Sequence, residues 1–183
     1  MINSRPNNKN YNQGLYIPVN KQKVLKLNNK GGVWYRSSWE KKIMIYLDAN
    51  ESIISWSAEG LEIPYLSKEY DKDNDAVKGI KRRYYPDFYY KIKMTDGSIR
   101  EVIAEVKPMK EVKNVEMFNE GNFTIPPNPS NKKLKNLEYD FKMAQKNSAK
   151  WEAMEAFSKM KGISFVIVTE DFINNLSSRT MRK

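Results

Sequence analysis

Arg82-Arg83-Tyr84-Tyr85-Pro86-Asp87-Phe88-Tyr89-Tyr90-Lys91-Ile92-Lys93-Met94 runs into Thr95-Asp96-Gly97, and the chain then returns through Ile99 to Lys107 before meeting Pro108. The first run is aromatic and β-prone and the second is apolar. The Asp-Gly pair between them marks a turn, so the stretch predicts a β-hairpin. Its register decides what it can do. A two-residue Asp96-Gly97 loop pairs Thr95 with Ser98 and sets Asp87 opposite Val106, away from Glu105. A three-residue Thr95-Asp96-Gly97 loop, with Gly97 left-handed, pairs Met94 with Ser98 and sets Asp87 opposite Glu105. Glycine third in the loop is what the longer form prefers. A bulge would change the count, since one residue of slip turns every side chain over.

Side chains alternate along a strand, so Glu105 and Lys107 share a face while Val102, Ala104 and Val106 can turn to the core. Ile103 then lies below the polar pair. Two carboxylates a few ångströms apart repel each other and favour a divalent cation between them. Such a cation polarises a phosphate and lowers the pKa of a bound water. A neighbouring lysine holds the attacking water or stabilises charge building on the phosphate. Asp87 and Glu105 are thus the expected metal ligands, and Lys107 the residue serving nucleophile and transition state. The plainer reading is a surface Glu-Lys pair and an ordinary aspartate after Pro86. Glu-x-Lys alone is common. Pro-Asp followed one hairpin later by an apolar strand ending Glu-Val-Lys is much rarer.

The composition narrows the chemistry further. The chain has 183 residues, 32 Lys and Arg against 22 Asp and Glu, and a net charge of +10. That length fits one domain with a tail or two. The surplus points to a polyanion, with nucleic acid the first candidate and an anionic membrane surface the second; a merely soluble basic protein is the bland alternative. Cysteine and histidine are both absent. Thiolate catalysis, disulfides, Ser-His-Asp hydrolases and His-based zinc sites are therefore excluded. An all-oxygen carboxylate site suits Mg²⁺ or Mn²⁺. No apolar run approaches the roughly 20 residues of a membrane span, and the first residues lack the apolar core of a secretory signal.

Outward from the hairpin, Ser37-Ser38-Trp39-Glu40 has the form of a capping box. It opens a helix whose apolar face is Trp39, Ile43, Tyr46 and Leu47, ending near Asp48-Ala49-Asn50. Ile53 to Trp56 reads as a strand and Leu61 to Tyr65 as an extended piece. Residues 67–80, with Asp71-Lys72-Asp73-Asn74-Asp75, read as a loop. Gly121 to Pro129 is a second loop. From Lys132 to Lys161 the pattern is helical, with Asn147-Ser148 a possible break and Gly162 a stop. Ser164 to Thr169 reads as a buried strand and Asp171 to Leu176 as a last helical turn. The expected organisation is a basic arm over 1–33, a domain over 34–176 and a short basic tail over 177–183. The arm has no acid, and reads either as a solvated segment that docks in part or as a phosphate-tracking arm.

Pro86-Asp87 followed by Glu105-Val106-Lys107 resembles the signature of the PD-(D/E)XK nucleases. The resemblance implies an α/β, restriction-endonuclease-like core in which a mixed β-sheet is flanked by helices, and Mg²⁺- or Mn²⁺-dependent hydrolysis of DNA phosphodiesters. It also implies a further acid on a helix before the hairpin, the place that Glu40 takes as a third metal ligand. A Glu curled back to cap its helix does not also reach an ion, so capping and ligation compete at Glu40. More narrowly, Tyr35-Arg36-Ser37-Ser38-Trp39-Glu40, Tyr85-Pro86-Asp87-Phe88, Ile103 to Pro108 and Asn147-x-x-Lys150-Trp151 resemble the head-completion nucleases of tailed phages. They are also similar to nucleases that cut transposon ends. This likeness spans about residues 34 to 169.

The likeness implies double-stranded or branched DNA as substrate, portal or head-vertex proteins as partners, and a place in the host cytoplasm or the virion. Lys81, Arg82 and Arg83 ahead of the catalytic strand, together with Arg36, are expected phosphate contacts. Lys146, Asn147 and Lys150 are expected by the same likeness to orient substrate; on their own they read as a surface patch. Tyr84, Tyr85, Tyr89 and Tyr90 are expected to pack the sheet, and Trp39 and Trp151 the core. The competing function is a non-catalytic DNA-binding or virion-connector protein on a nuclease scaffold. The intact Asp87, Glu105 and Lys107 argue against it.

Overall fold

The computed structural model describes residues 12–71 and 76–180. The outermost residues of the expected arm and tail lie outside this range. In chain order the elements are β1 (Gly14–Tyr16), a 3-10 turn (Lys21–Lys23), β2 (Val33–Tyr35), α1 (Ser38–Ala49), β3 (Ile53–Ala58), β4 (Ile63–Asp71), β5 (Ala76–Tyr84), β6 (Phe88–Lys93), β7 (Ile99–Val106), α2 (Met109–Asn119), α3 (Asn131–Lys161), β8 (Ser164–Val168) and α4 (Glu170–Thr180). The mixed α/β class expected from the sequence is what these elements form. They divide into two compact units, one of residues 1–61, 86–106 and 166–183, the other of 62–85 and 107–165.

The first unit is built on a four-stranded sheet of order β3-β6-β7-β8. β3 and β7 both run antiparallel to β6. One face of this sheet is apolar: Trp56, Phe88, Ala104 and Val168 pack against Ile43, Met44 and Leu47 of α1 and Ile173 of α4. Trp56, Phe88, Met44 and Leu47 are wholly buried, each contributing roughly 1.5–3 kcal/mol. Trp39 and Val106 pack at the edge of this cluster, as expected.

The hairpin has the longer loop. Met94 N–H donates to Ser98 carbonyl at 2.8 Å, Gly97 N–H returns to Met94 carbonyl at 3.0 Å, and Gly97 sits at φ +85°. Asp96 accepts from Ser98 N–H and hydroxyl, which closes the turn. Phe88 pairs with Ala104 and Lys93 with Ile99, so the register is the one that opposes Asp87 to Glu105.

The described residues of the basic arm dock on this unit. β1 pairs with β2, Val24 bridges Trp56, and Leu25 N–H donates to Trp56 carbonyl at 2.9 Å. The anchor is Asp48, 2% exposed at the end of α1. Its carboxylate accepts from Tyr16 hydroxyl at 2.7 Å, Val19 N–H at 2.8 Å and Asn20 N–H at 3.0 Å. Lys23 donates to the carbonyls of Asp48 and Asn50, closing the helix C-terminus where a cation is favoured.

The second unit corrects two expectations. Residues 67–71 and 76–80 are strand, not loop: β4 and β5 form a two-stranded antiparallel ribbon from Ile63–Tyr84 to Asp71–Ala76, and the Lys72 to Asp75 part of that expectation lies outside the described residues. Its base is closed by buried Ile63, Tyr65 and Tyr84, while Leu66 and Val77 stay exposed. Nor does Asn147-Ser148 break the long helix, since α3 runs unbroken for 31 residues to a left-handed Gly162. Asn147 donates its side-chain amide to Glu111 at 3.2 Å and Ser148 its hydroxyl to Asn119 at 2.6 Å. Both polar side chains therefore turn to α2 instead of competing for the backbone. Trp151 and Met154 are buried on the same side.

Candidate active site

The second face of the first unit's sheet is polar. Pairing places Ser57 beside Tyr89, Ser55 beside Lys91, Tyr89 beside Ile103 and Lys91 beside Glu101. One step further along this face, where β6 begins, Asp87 stands opposite Glu105. Directly opposed residues of an antiparallel pair have Cβ atoms about 4.5–5.5 Å apart. The backbone around them is tied to the acids themselves. Val106 N–H donates to Asp87 Oδ2 at 2.7 Å, and Asp87 N–H lies 3.4 Å from Glu105 Oε2. Asp87's carbonyl takes the N–H of Glu59 at 3.1 Å. Glu105 is only 3% exposed, and Ile103 beneath it is fully buried.

A buried carboxylate facing another carboxylate is costly unless a cation or donors offset it. This donor set is all oxygen, with Asp87 Oδ2 held by the Val106 N–H. It fits a hard divalent ion. Lys107 follows β7 by one residue and is half-buried.

Glu40 lies in the cap of α1. Ser37 is the N-cap of α1 and accepts Glu40 N–H at 3.1 Å, while Glu40 accepts Ser37 hydroxyl at 3.0 Å and Arg36 N–H at 2.8 Å. Both oxygens are thus engaged in capping. Among the described residues no group of three acids is close enough to hold an ion. Burial pushes the Glu40 carboxyl up, and Glu59 adds to that; the hydrogen bonds from Arg36 and Ser37 and the Arg36 charge act the other way.

Glu59 is a charged residue of this region that sequence reasoning missed. It sits at φ +49°, unusual for a residue with a side chain, and its carboxylate pairs with Arg36 at 2.8 Å. Arg36, expected on DNA, is therefore half-neutralised at the end of β3. The one available signal was Glu59-Gly60 closing a strand. Along the polar face Tyr89 hydroxyl and Lys91 both donate to Glu101, Lys91 at 2.7 Å, and hold its carboxyl below the usual range.

The remaining expected contacts belong to the second unit. Lys81, Arg82 and Arg83 lie exposed along β5, with Arg83 3.6 Å from Glu62. Lys146 is exposed on α3 and Lys150 rests its Nζ 4.6 Å from the centre of the Tyr84 ring. Asn147 is the exception, because at 2% exposure it lies inside the unit and not on its surface.

Comparison with known proteins adds an independent line. Residues 50–170 match the family model described as the TnsA-like endonuclease N terminal. The chain belongs to the TnsA-like endonucleases. It is also 32% identical over 170 residues to the head completion nuclease of Enterobacteria phage T4, covering 89% of this chain and 94% of that one. No solved structure matches. In this TnsA-like endonuclease Asp87, Glu105 and Lys107 fall within the matched segment, whereas Arg36 and Glu40 precede it. No helix of the described residues is long and apolar enough to cross a membrane.

Proposed function

We propose that this TnsA-like endonuclease hydrolyses DNA phosphodiester bonds with a divalent ion, Mg²⁺ or Mn²⁺, held by Asp87 and Glu105. The observation that carries the reading is the register of the hairpin, which opposes these two acids at the end of a sheet inside the family-matched segment. Val106 N–H holds the carboxylate of Asp87 in a constant direction. Lys107, as the next outward residue after Glu105, holds the attacking water or the charge growing on the phosphate. When bound, the ion supplies a water of lowered pKa and polarises the scissile phosphate. Lys81, Arg82, Arg83, Arg36, Lys146 and Lys150 position the backbone of double-stranded or branched DNA by charge. Asn147 acts only through the packing of α2 on α3. Glu40 shapes the start of α1.

Likeness to the T4 head completion nuclease along almost the whole of both chains favours work on DNA ends during phage head completion, in the host cell and beside head proteins. Transposon-end cleavage is the second reading, favoured by the family model alone.

The test is nicking and linearisation of supercoiled plasmid with Mg²⁺, Mn²⁺ or EDTA. Wild type should cut only with a metal ion. Asp87→Ala and Glu105→Ala should lose about a hundredfold or more while remaining folded. Lys107→Ala should lower turnover by a similar factor with little change in the metal midpoint. Full activity in either carboxylate variant ends this assignment of the site.

A further inference from the structure

Helix α3 carries a row of charge that extends through four positions N-terminal of Lys146 and Lys150. At about 100° per residue, Lys132, Lys135, Tyr139, Lys142, Lys146 and Lys150 fall within roughly 80° of one another on its surface. The row spans 18 residues, about 27 Å of helix. Its first five members are exposed, Tyr139 at 64%. None of Lys132, Lys135, Lys142 and Lys146 is in an ion pair with a described residue. The acids of the helix lie elsewhere: Asp140 is off the row and pairs with Lys110 at 2.7 Å, Glu138 borders the row, and Glu152 and Glu155 face away.

This pattern is unfavourable for a solvated helix. Glu138 stands four residues before Lys142 in the favourable order, and no other lysine of the row has an acid so placed. Here Lys142, Lys146 and Lys150 follow one another at four-residue spacing, and like charges so placed destabilise a helix by a few tenths of a kcal/mol per pair. A polyanion lying along the row removes that repulsion.

We propose that this lysine row is a duplex-DNA track that grips the phosphate backbone without reading sequence. The proposal rests on the reading of the chain as a DNA nuclease and adds where the duplex runs. Lysine is a point charge suited to phosphate, and the row holds no Arg, Asn or Gln, the side chains that read base edges in pairs. At 3.4 Å per step, 27 Å of helix lies along about eight base pairs. Lys150 ends the row over the ring of Tyr84 at the base of the ribbon.

The test compares two variants of equal net charge. Lys132→Gln/Lys135→Gln/Lys142→Gln clears the exposed end of the row. Lys42→Gln/Lys133→Gln/Lys159→Gln removes three charges elsewhere, and Gln keeps the helix propensity of Lys. Binding of a 30-base-pair duplex is measured in EDTA across a range of salt. The row variant should lower the slope of log affinity against log salt by about 2.7, at about 0.9 per lost phosphate contact. The control should change it by less than one. Equal slopes overturn the track. So does loss of binding to anionic phospholipid vesicles by the row variant with its DNA slope unchanged, which makes the row a membrane face. Plasmid cutting by wild type separates the two ideas. Cutting with equal slopes leaves the nuclease and removes the track; no cutting with unequal slopes leaves the track and removes the nuclease.

Discussion

Replacing Asp48 by alanine should release residues 12–24 from the rest of their unit. The carboxylate accepts three hydrogen bonds, from Tyr16 hydroxyl at 2.7 Å, Val19 N–H at 2.8 Å and Asn20 N–H at 3.0 Å. A hydrogen bond to a charged acceptor is worth about 1.5–3 kcal/mol. Val19 is an exposed residue, so water can take over part of what its N–H loses. The low end applies, giving a loss of about 3–4 kcal/mol. That is a large share of a typical total of about 5–15 kcal/mol. Asp48→Asn keeps the acceptor for Asn20 and turns an amide N–H₂ toward Val19 N–H, costing about 1–2 kcal/mol. Urea unfolding measures both. Limited trypsin digestion locates the effect, because Lys21 and Lys23 lie in the released segment and should be cut first in Asp48→Ala. A variant within 1 kcal/mol of wild type, or with an unchanged cleavage pattern, would refute the anchor.

The remaining predictions concern pH and the turn. Burial, then the contact with Asp48, pushes the Tyr16 phenol well above its ordinary range. Burial likewise raises Tyr89 and takes Tyr90 to about 12. The folded state thus favours the protonated phenols. Stability should be complete below about pH 10, the unfolded value, and fall as pH rises from there through the folded values. Urea midpoints between pH 9 and 11 should show that fall, shallower in Tyr16→Phe; a flat profile contradicts it. Gly97→Ala meets no neighbour within 4 Å, so its cost is only that of a side chain at positive φ, about 1 kcal/mol. Plasmid cutting should survive at temperatures below the new midpoint, and loss of cutting in the folded variant would mean that the turn alone sets the register.

What the sequence disclosed is what it encodes over short distances. Asp96-Gly97 specifies a loop, the third-position glycine specifies its length, and the length fixes which acids meet. Ser37 and Glu40 marked the start of α1 in the same way, and the cap is formed as the pattern foretells. The ribbon is hard to read locally because apolar Leu66, Val77 and Ile80 stand at exposed positions while polar Ser67 is buried, so hydrophobicity does not mark the inner face. α2 was passed over after Pro108, although Val112, Val115 and Phe118 recur at three-residue spacing and Val115 is buried. Asn147 and Ser148 suggest a break to any local reading, since their partners Glu111 and Asn119 lie 36 and 29 residues away. Asp48 is the same case, its three donors being 28 to 32 residues distant. Glu40 shows that one local motif can satisfy two readings, and only the placement of its oxygens separates them.

The turn at Thr95-Asp96-Gly97 also bears on time. Asp87 and Glu105 are 18 residues apart and joined by one hairpin, whereas the pairing of β3 with β6 waits on a 30-residue excursion through the ribbon from Ala58 to Phe88. Short loops close at lower entropic cost, and hairpins form in about 1–10 µs. The two acids therefore meet early, while the chain around them is still open to water that screens their repulsion. Their burial comes later, when the surrounding elements close. The geometry that the chemistry needs thus belongs to the most local and fastest-forming part of the molecule, and slower steps only enclose it.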